Sequence, residues 1–267
     1  MTRHRSLLLG AVLVLVVVAA SAGAPFLSPA DPYAQDLANI LLPPGAGHPF
    51  GTDAFGRDIL ARVLYGARLS LLEVAAAVSL AVAVGVPLGL LAGTAGGALD
   101  AALMWVMDIA FAFPAIVLAI LIVSVLGPSL LNLLLAVAAF SVPVYARLSR
   151  NLAVGVRALE FVDAAAAAGS GRWRIICRHI GPNTMGPIVV QATLTAGTAV
   201  LSAASLSFLG LGAQPPLPEW GTMLSDGRNY LGVSPWLSFF PGAAVMVTVL
   251  GFNLLGDGLR DVLDPRQ

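Results

Sequence analysis

Long uncharged runs broken by short polar, turn-rich stretches divide the chain. Residues 7–27 form the first run. At ~1.5 Å per residue it can cross the ~30 Å hydrocarbon core of a bilayer. Ala22-Gly23-Ala24 resembles a signal-peptide cleavage site, but no soluble domain follows, so a retained span is expected. Residues 28–70 are rich in turn formers (Pro29, Pro32, Pro43, Pro44, Gly45, Gly47). Thr52 or Asp53 can cap a helix there. Phe55, Ile59, Arg62 and Val63 follow at helical spacing, interleaved with Arg57 and Arg68, the pattern of a helix lying on the outer membrane surface.

A second span is predicted over residues 71–91, with Pro87 near its end and Glu73 near the interface. Residues 99–126 are too long for one straight span. Asp100 and Asp108 mark an interfacial lead-in, with the span proper starting near Ile109, because a mid-bilayer charge costs several kcal/mol. Gly127-Pro128 makes a turn before a fourth span from Leu130 to Tyr145. A fifth is expected from about Gly186 to Ser207 and a sixth from about Trp236 to Leu255. The expected fold is therefore an all-α polytopic membrane protein of about six transmembrane helices. Residues 1–70 form a first helix with an external lead-in, and residues 71–267 form a five-helix core holding a polar loop at 158–183.

That loop reads as two short helices. Leu159 to Ala168 has high helix propensity, Gly169 stands where a helix ends in the left-handed conformation, and Ser170 can cap a second helix. Pro182, behind Gly181, is expected to stop the second helix. Trp173, Ile176, Cys177 and Ile180 share one face of it, Arg174 and Arg178 another, and Ile175 breaks the pattern. An apolar ridge flanked by arginines suits docking onto a partner protein. An ordinary solvated loop helix would look the same.

Composition narrows the class. Hydrophobic residues make up 58% and charged residues 10%, against ~25% charged in soluble domains. The net charge of zero gives no reason to expect nucleic acid. All the basic residues are arginine, so a P-loop lysine or a Schiff-base lysine is excluded and any ATP must be held by a partner. The lone Cys177 excludes an internal disulfide and a cysteine metal cluster. His4, His48 and His179 are scattered, and no HExxH or GxSxG motif occurs. His48, Asp53 and Asp58 read as cap and surface residues. No catalytic or metal site is expected.

Charge also orients the spans. With six spans and the N-terminus inside, Arg3, Arg5, Arg147, Arg150, Arg157, Arg172, Arg174, Arg178, Arg260 and Arg266 are cytoplasmic, and Arg57, Arg62, Arg68 and Arg228 are external. That bias follows the positive-inside rule and places both termini and the 158–183 loop in the cytoplasm. On the fifth span, Gln191, Thr195, Thr198, Ser202 and Ser205 fall within about 80° of one another on a helical wheel. Such a stripe either packs helix on helix or lines a translocation path.

Several polar blocks carry a family resemblance. Asp163-Ala164-Ala165, Gly169 and Pro182 have the spacing of the EAA loop of ABC importer permeases. His48–Leu71, Trp173–Asn183 (WRIICRHIGPN), Ser205–Leu231 and Phe252–Arg266 resemble the dipeptide/oligopeptide/nickel branch. Asp163 stands where that family usually has Glu, Gly181 where Leu is common, and Trp105 where relatives often have an Arg able to pair with Asp108. The resemblance implies a type I importer permease fold in the cell membrane of a bacterium or archaeon, with coupling helices seated in a cytoplasmic ATPase. By position in the motif, the coupling residues are Glu160, Asp163, Ala164, Ala165, Gly169, Arg172, Trp173, Ile176, Ile180 and Pro182. It further implies a homologous second permease, two ATPases that bind ATP and Mg, and an external solute-binding protein delivering peptides or related solutes such as nickel chelates. This chain would hold no cofactor. A secondary transporter without an ATPase is the rival, and it would need ion-coupling acids in the membrane.

Overall fold

A computed structural model describes residues 3–263. Arg266 and the side chains of Arg3 and His4 lie outside what it describes. The helices run in the order α1 (Arg3–Ala22), α2 (Ala24–Leu27), α3 (Ile59–Ala95), α4 (Gly97–Ala112), α5 (Ala115–Leu126), α6 (Leu130–Arg157), α7 (Glu160–Ala167), α8 (Arg172–Ile175), α9 (Gly181–Phe208), α10 (Trp220–Gly227) and α11 (Trp236–Leu263). Five helical stretches among them are long and apolar enough to cross a membrane, and α4 with α5 makes a sixth, bent span.

The outer lead-in differs from its expectation. There is no separate surface helix, and Thr52 and Asp53 cap nothing. Asp58 is the N-cap, its carboxylate accepting from the Ala61 N–H at 2.7 Å, and α3 then runs for 37 residues straight through position 70. The reason is local competition for hydrogen bonds. Asp53 is already committed to the Phe55 and Arg57 amides (2.8 and 3.0 Å) and to Arg57 Nε (2.6 Å). Thr52 Oγ1 donates to the Asn39 carbonyl at 2.6 Å and accepts from the Leu42 amide at 2.8 Å. Arg57 and Arg62, expected at the surface, are buried. Arg62 reaches the Pro32 carbonyl at 3.1 Å, so the arginines knit residues 28–58 into a packed cap.

The third hydrophobic stretch breaks. α4 and α5 meet at 90° across Phe113-Pro114. Proline removes an amide donor and pushes its predecessor into an extended conformation, which Phe113 adopts with ψ 134°. The expected start near Ile109 is thus replaced by a corner. The pairing expected to be missing at Asp108 is supplied from another helix: Arg147 of α6 bonds Asp108 and lies 4.4 Å over the Phe111 ring, while Arg150 grips Asp100 at 2.6 and 3.0 Å.

The centre of the molecule is the α3–α6 pair. Gly85, Gly89 and Gly93 present three successive turns of bare backbone to Tyr145, Ala146, Ser149, Arg150 and Ala153. Small residues spaced four apart let membrane helices approach closely. α1 and α11 pack the same way, with Gly10 against Leu254-Leu255 and Gly258 against Leu7. The start of α1, the end of α11 and the 158–183 loop therefore share one end of the bundle. The opposite end holds the 28–58 cap and α10, and Trp220 Nε1 of α10 donates to the Val63 carbonyl of α3 at 3.0 Å.

Candidate functional site

The loop between α6 and α9 folds into a helical hairpin. In α7, Glu160 and Asp163 occupy the first turn, where carboxylates complement the helix dipole. Gly169 adopts φ +81°. Its amide bonds the Ala166 carbonyl and the Ser170 amide bonds the Ala165 carbonyl, both at 3.0 Å, which closes α7 in a Schellman motif. α8 starts at Arg172, so Ser170 lies one residue before the cap position and does not cap it. Gly171 is the N-cap, with no side-chain bond.

Pro182 does not stop the second helix either. Ile176–Ile180 form a π-helical turn in which the Gly181 amide reaches back to the Ile176 carbonyl, and α9 continues directly from it. A π-bulge shifts the hydrogen-bond register by one residue. That shift lets the chain carry a proline without breaking. The result is one unbroken helical rod from Arg172 to Phe208.

The π turn also splits the apolar face. Ile176 and Ile180 are buried, together with Val162, and hold the hairpin against the ends of α3 and α6. Trp173 is 67% exposed and Cys177 is exposed. Leu159 and Phe161 are also exposed, as are Glu160, Asp163, Ala164, Arg172, Arg174 and Arg178. The hairpin thus offers the outside an aromatic and cationic surface, while two of the residues assigned to docking serve its interior. Arg157 ties the base, donating to the Thr94 carbonyl at 2.9 Å.

The polar stripe of α9 is not one continuous channel in this conformation. Thr195 is buried and accepts from Gln191 Nε2 at 3.2 Å, Thr198 is exposed, and Ser202 and Ser205 are half-buried. Gln191 lines a cavity of about 400 Å³ at the hairpin end, and Ser205 lines one of about 290 Å³ near the opposite end. Thr198 and Ser202 belong to neither. Among the described residues no group of three or more His, Cys, Asp or Glu could hold a metal ion. His48 instead lies 2.8 Å from Asp58, the cap of α3.

Two features escaped the sequence reading. The Gly85/Gly89/Gly93 seam was visible as a four-residue spacing inside the second span. The second is a buried acid pair. Glu219 caps α10, accepting from the Gly221 and Thr222 amides at 2.8 and 2.9 Å. Glu73, 1% exposed, has no hydrogen-bond partner on either oxygen. Nothing in the sequence signals that Glu73 is enclosed by protein.

Comparison with known proteins identifies the class of this helical bundle. Residues 85–267 match the family described as binding-protein-dependent transport system inner membrane component, and residues 1–44 match the N-terminal TM domain of oligopeptide transport permease C. The chain is 48% identical to the dipeptide transport system permease protein DppC of Alkalihalophilus pseudofirmus, over 99% of this chain and 87% of that one. It is 46% identical to the probable D,D-dipeptide transport system permease protein DdpC of Escherichia coli, over 96% and 86% respectively. It is 42% identical to the glutathione transport system permease protein GsiD of Pectobacterium atrosepticum, over 95% and 84%. The fold matches a chain of the inward-facing MetNI methionine ABC transporter with a TM-score of 0.62 at 18% identity, covering 76% of this chain and 96% of the other.

The chain belongs to the binding-protein-dependent transport system inner membrane component family. It is a multi-pass permease subunit of an ABC importer.

Proposed function

We propose that this chain forms half of the translocation path of an ATP-driven importer of peptides or related small solutes. It works with a homologous permease, two cytoplasmic ATPases that bind ATP and Mg, and an external solute-binding protein. The names of the relatives support peptides as cargo, and nickel chelates remain within the same class. Both termini and the hairpin lie in the cytoplasm on this reading, in keeping with the distribution of arginines.

The observation that carries the mechanism is the unbroken rod from Arg172 to Phe208. The exposed Phe161, Trp173 and arginines seat in an ATPase cleft. Closure of the ATPases on ATP pushes the hairpin, and because no flexible joint separates α8 from α9, the push tilts α9 as a lever. The helix that moves is the one bearing Gln191, Thr195, Thr198, Ser202 and Ser205. Their hydroxyls and amide would offer weak, unselective hydrogen bonds to cargo in the opened state.

The test is uptake of a labelled dipeptide into proteoliposomes holding the assembled complex and its binding protein. Uptake is expected only with the binding protein and dipeptide outside and ATP enclosed in the lumen, on the side of the inward-facing hairpins. The buried Glu73 and Glu219 give the secondary-transporter reading its single support, and uptake driven by an ion gradient without ATP would restore it.

A further inference from the structure

Three side chains of different helices converge on the cavity at the hairpin end: Leu148 of α6, Gln191 of α9 and Arg260 of α11. The remaining wall is apolar, built from Pro187, Val190, Leu194 and Leu263. Its volume of about 400 Å³ falls in the range of small-molecule sites, which pair apolar walls with a few placed polar groups. No acidic residue lines it.

Several arginines of the bundle are already paired with a carboxylate. Arg57 is paired with Asp53, Arg147 with Asp108, and Arg150 with Asp100. Arg260 forms no ion pair or hydrogen bond among the described residues, and it borders a cavity with no carboxylate of its own. A guanidinium presents a planar fork that matches a carboxylate in two parallel hydrogen bonds. Gln191 stands on the same wall. One of its amide hydrogens serves Thr195, and an amide nitrogen carries two donors.

We propose that this cavity is a release site for the carboxylate of the transported solute, held by the Arg260 guanidinium with the free N–H of Gln191 as second donor. The proposal rests on the reading of peptides as cargo. A peptide carries a terminal carboxylate whatever its side chains, so one arginine recognises the class without reading sequence. The site sits at the hairpin end of the bundle and opens outward, suited to a last weak contact before the cytoplasm.

The experiment uses the assembled, nucleotide-free complex without binding protein, and compares binding of Ala-Ala dipeptide with that of its C-terminal amide by ligand-detected NMR. Charge-assisted hydrogen bonds contribute about 1.5–3 kcal/mol, so the wild type should prefer the free carboxylate by roughly ten- to a hundredfold. Arg260→Gln should bring the ratio close to one, and Arg260→Lys should restore part of it. Leu148→Trp, which fills the cavity and leaves the arginine in place, should weaken both ligands. Equal binding of the two ligands by the wild type overturns the proposal, as does a preference that survives Arg260→Gln. If Arg260→Gln fails to assemble, Leu148→Trp decides: unchanged preference and affinity overturn the proposal. Occupancy that follows the anionic lipid content of nanodiscs and ignores dipeptide assigns the arginine to a lipid headgroup and also overturns it. Failure of the peptide reading would look different, because ATP-driven dipeptide uptake would then be missing from the complete wild-type system.

Discussion

Gly89 lies in the α3–α6 seam with no room for a side chain. A Cβ there would sit 2.0 Å from Ser149 Oγ, 2.1 Å from the Ala146 carbonyl oxygen and 2.8 Å from the Arg150 amide. Comfortable non-bonded contact is about 3.5 Å, so the shortfall exceeds 1 Å on two atoms. Neither can step aside. One is backbone, and Ser149 Oγ is held by donating to the Tyr145 carbonyl at 2.7 Å, with the Val86 carbonyl at 3.2 Å across the seam. The helices must therefore separate by about 1 Å, which forfeits a quarter to a half of each contact's attraction along the seam. Adding the ordinary ~1–3 kcal/mol of overpacking, Gly89→Ala should cost roughly 3–5 kcal/mol. For a chain of this size that is of the order of 10 °C in midpoint. Thermal unfolding of the detergent-purified protein, followed by fluorescence-detected size exclusion, measures it. Gly155→Ala is the control. It lies on α6 with nothing within 4 Å of its Cβ, so it should gain about 0.5–1 kcal/mol from helix propensity. A Gly89→Ala midpoint at or above the wild type would refute the packing argument.

Ile180→Ala should lose about 2–5 kcal/mol through the cavity it leaves, whereas Trp173→Ala should leave the unfolding midpoint unchanged and lower transport-coupled ATP turnover several-fold. Equal effects of the two on stability would contradict the split between interior and surface. Thr198→Leu or Ser202→Leu should reduce dipeptide uptake while the complex still assembles, and normal uptake in both would remove the stripe from the path. Glu73→Leu should raise the midpoint, because an enclosed carboxyl without partners costs ~1–3 kcal/mol or more. A lowered midpoint would mean that Glu73 finds a partner in the native protein. Cys177 should react with a membrane-impermeant maleimide only in inside-out vesicles, and less when ATPase is bound; labelling of intact cells from outside would overturn the topology.

The apolar runs located the spans because hydropathy acts over some twenty residues and needs no knowledge of neighbours. Gly169 was legible for the opposite reason, since its left-handed conformation is a local demand. What failed were inferences that needed competing partners. Thr52 and Asp53 had the chemistry of caps, but loop amides and Arg57 claimed them first, and the cap fell to Asp58. Ser170 lost its role because α8 starts one residue later than a Ser170 cap requires, with Gly171 at the cap position. Pro182 obeyed the rule against helix interiors only by shifting the hydrogen-bond register, and that shift turned Ile176 and Ile180 inward and left Trp173 outside. The Arg260 cavity could not be read at all, because α6, α9 and α11 meet there only in three dimensions.

The central claim is that the hairpin couples this permease to ATPases. Native mass spectrometry of the tagged chain, purified in mild detergent from its host, tests it most directly. The expected assembly holds one copy of this chain, one homologous permease and two ATPase subunits, and loses the ATPases when Trp173 and Phe161 are both replaced by Asp. Recovery of this chain without any ATPase across several detergents would contradict the claim.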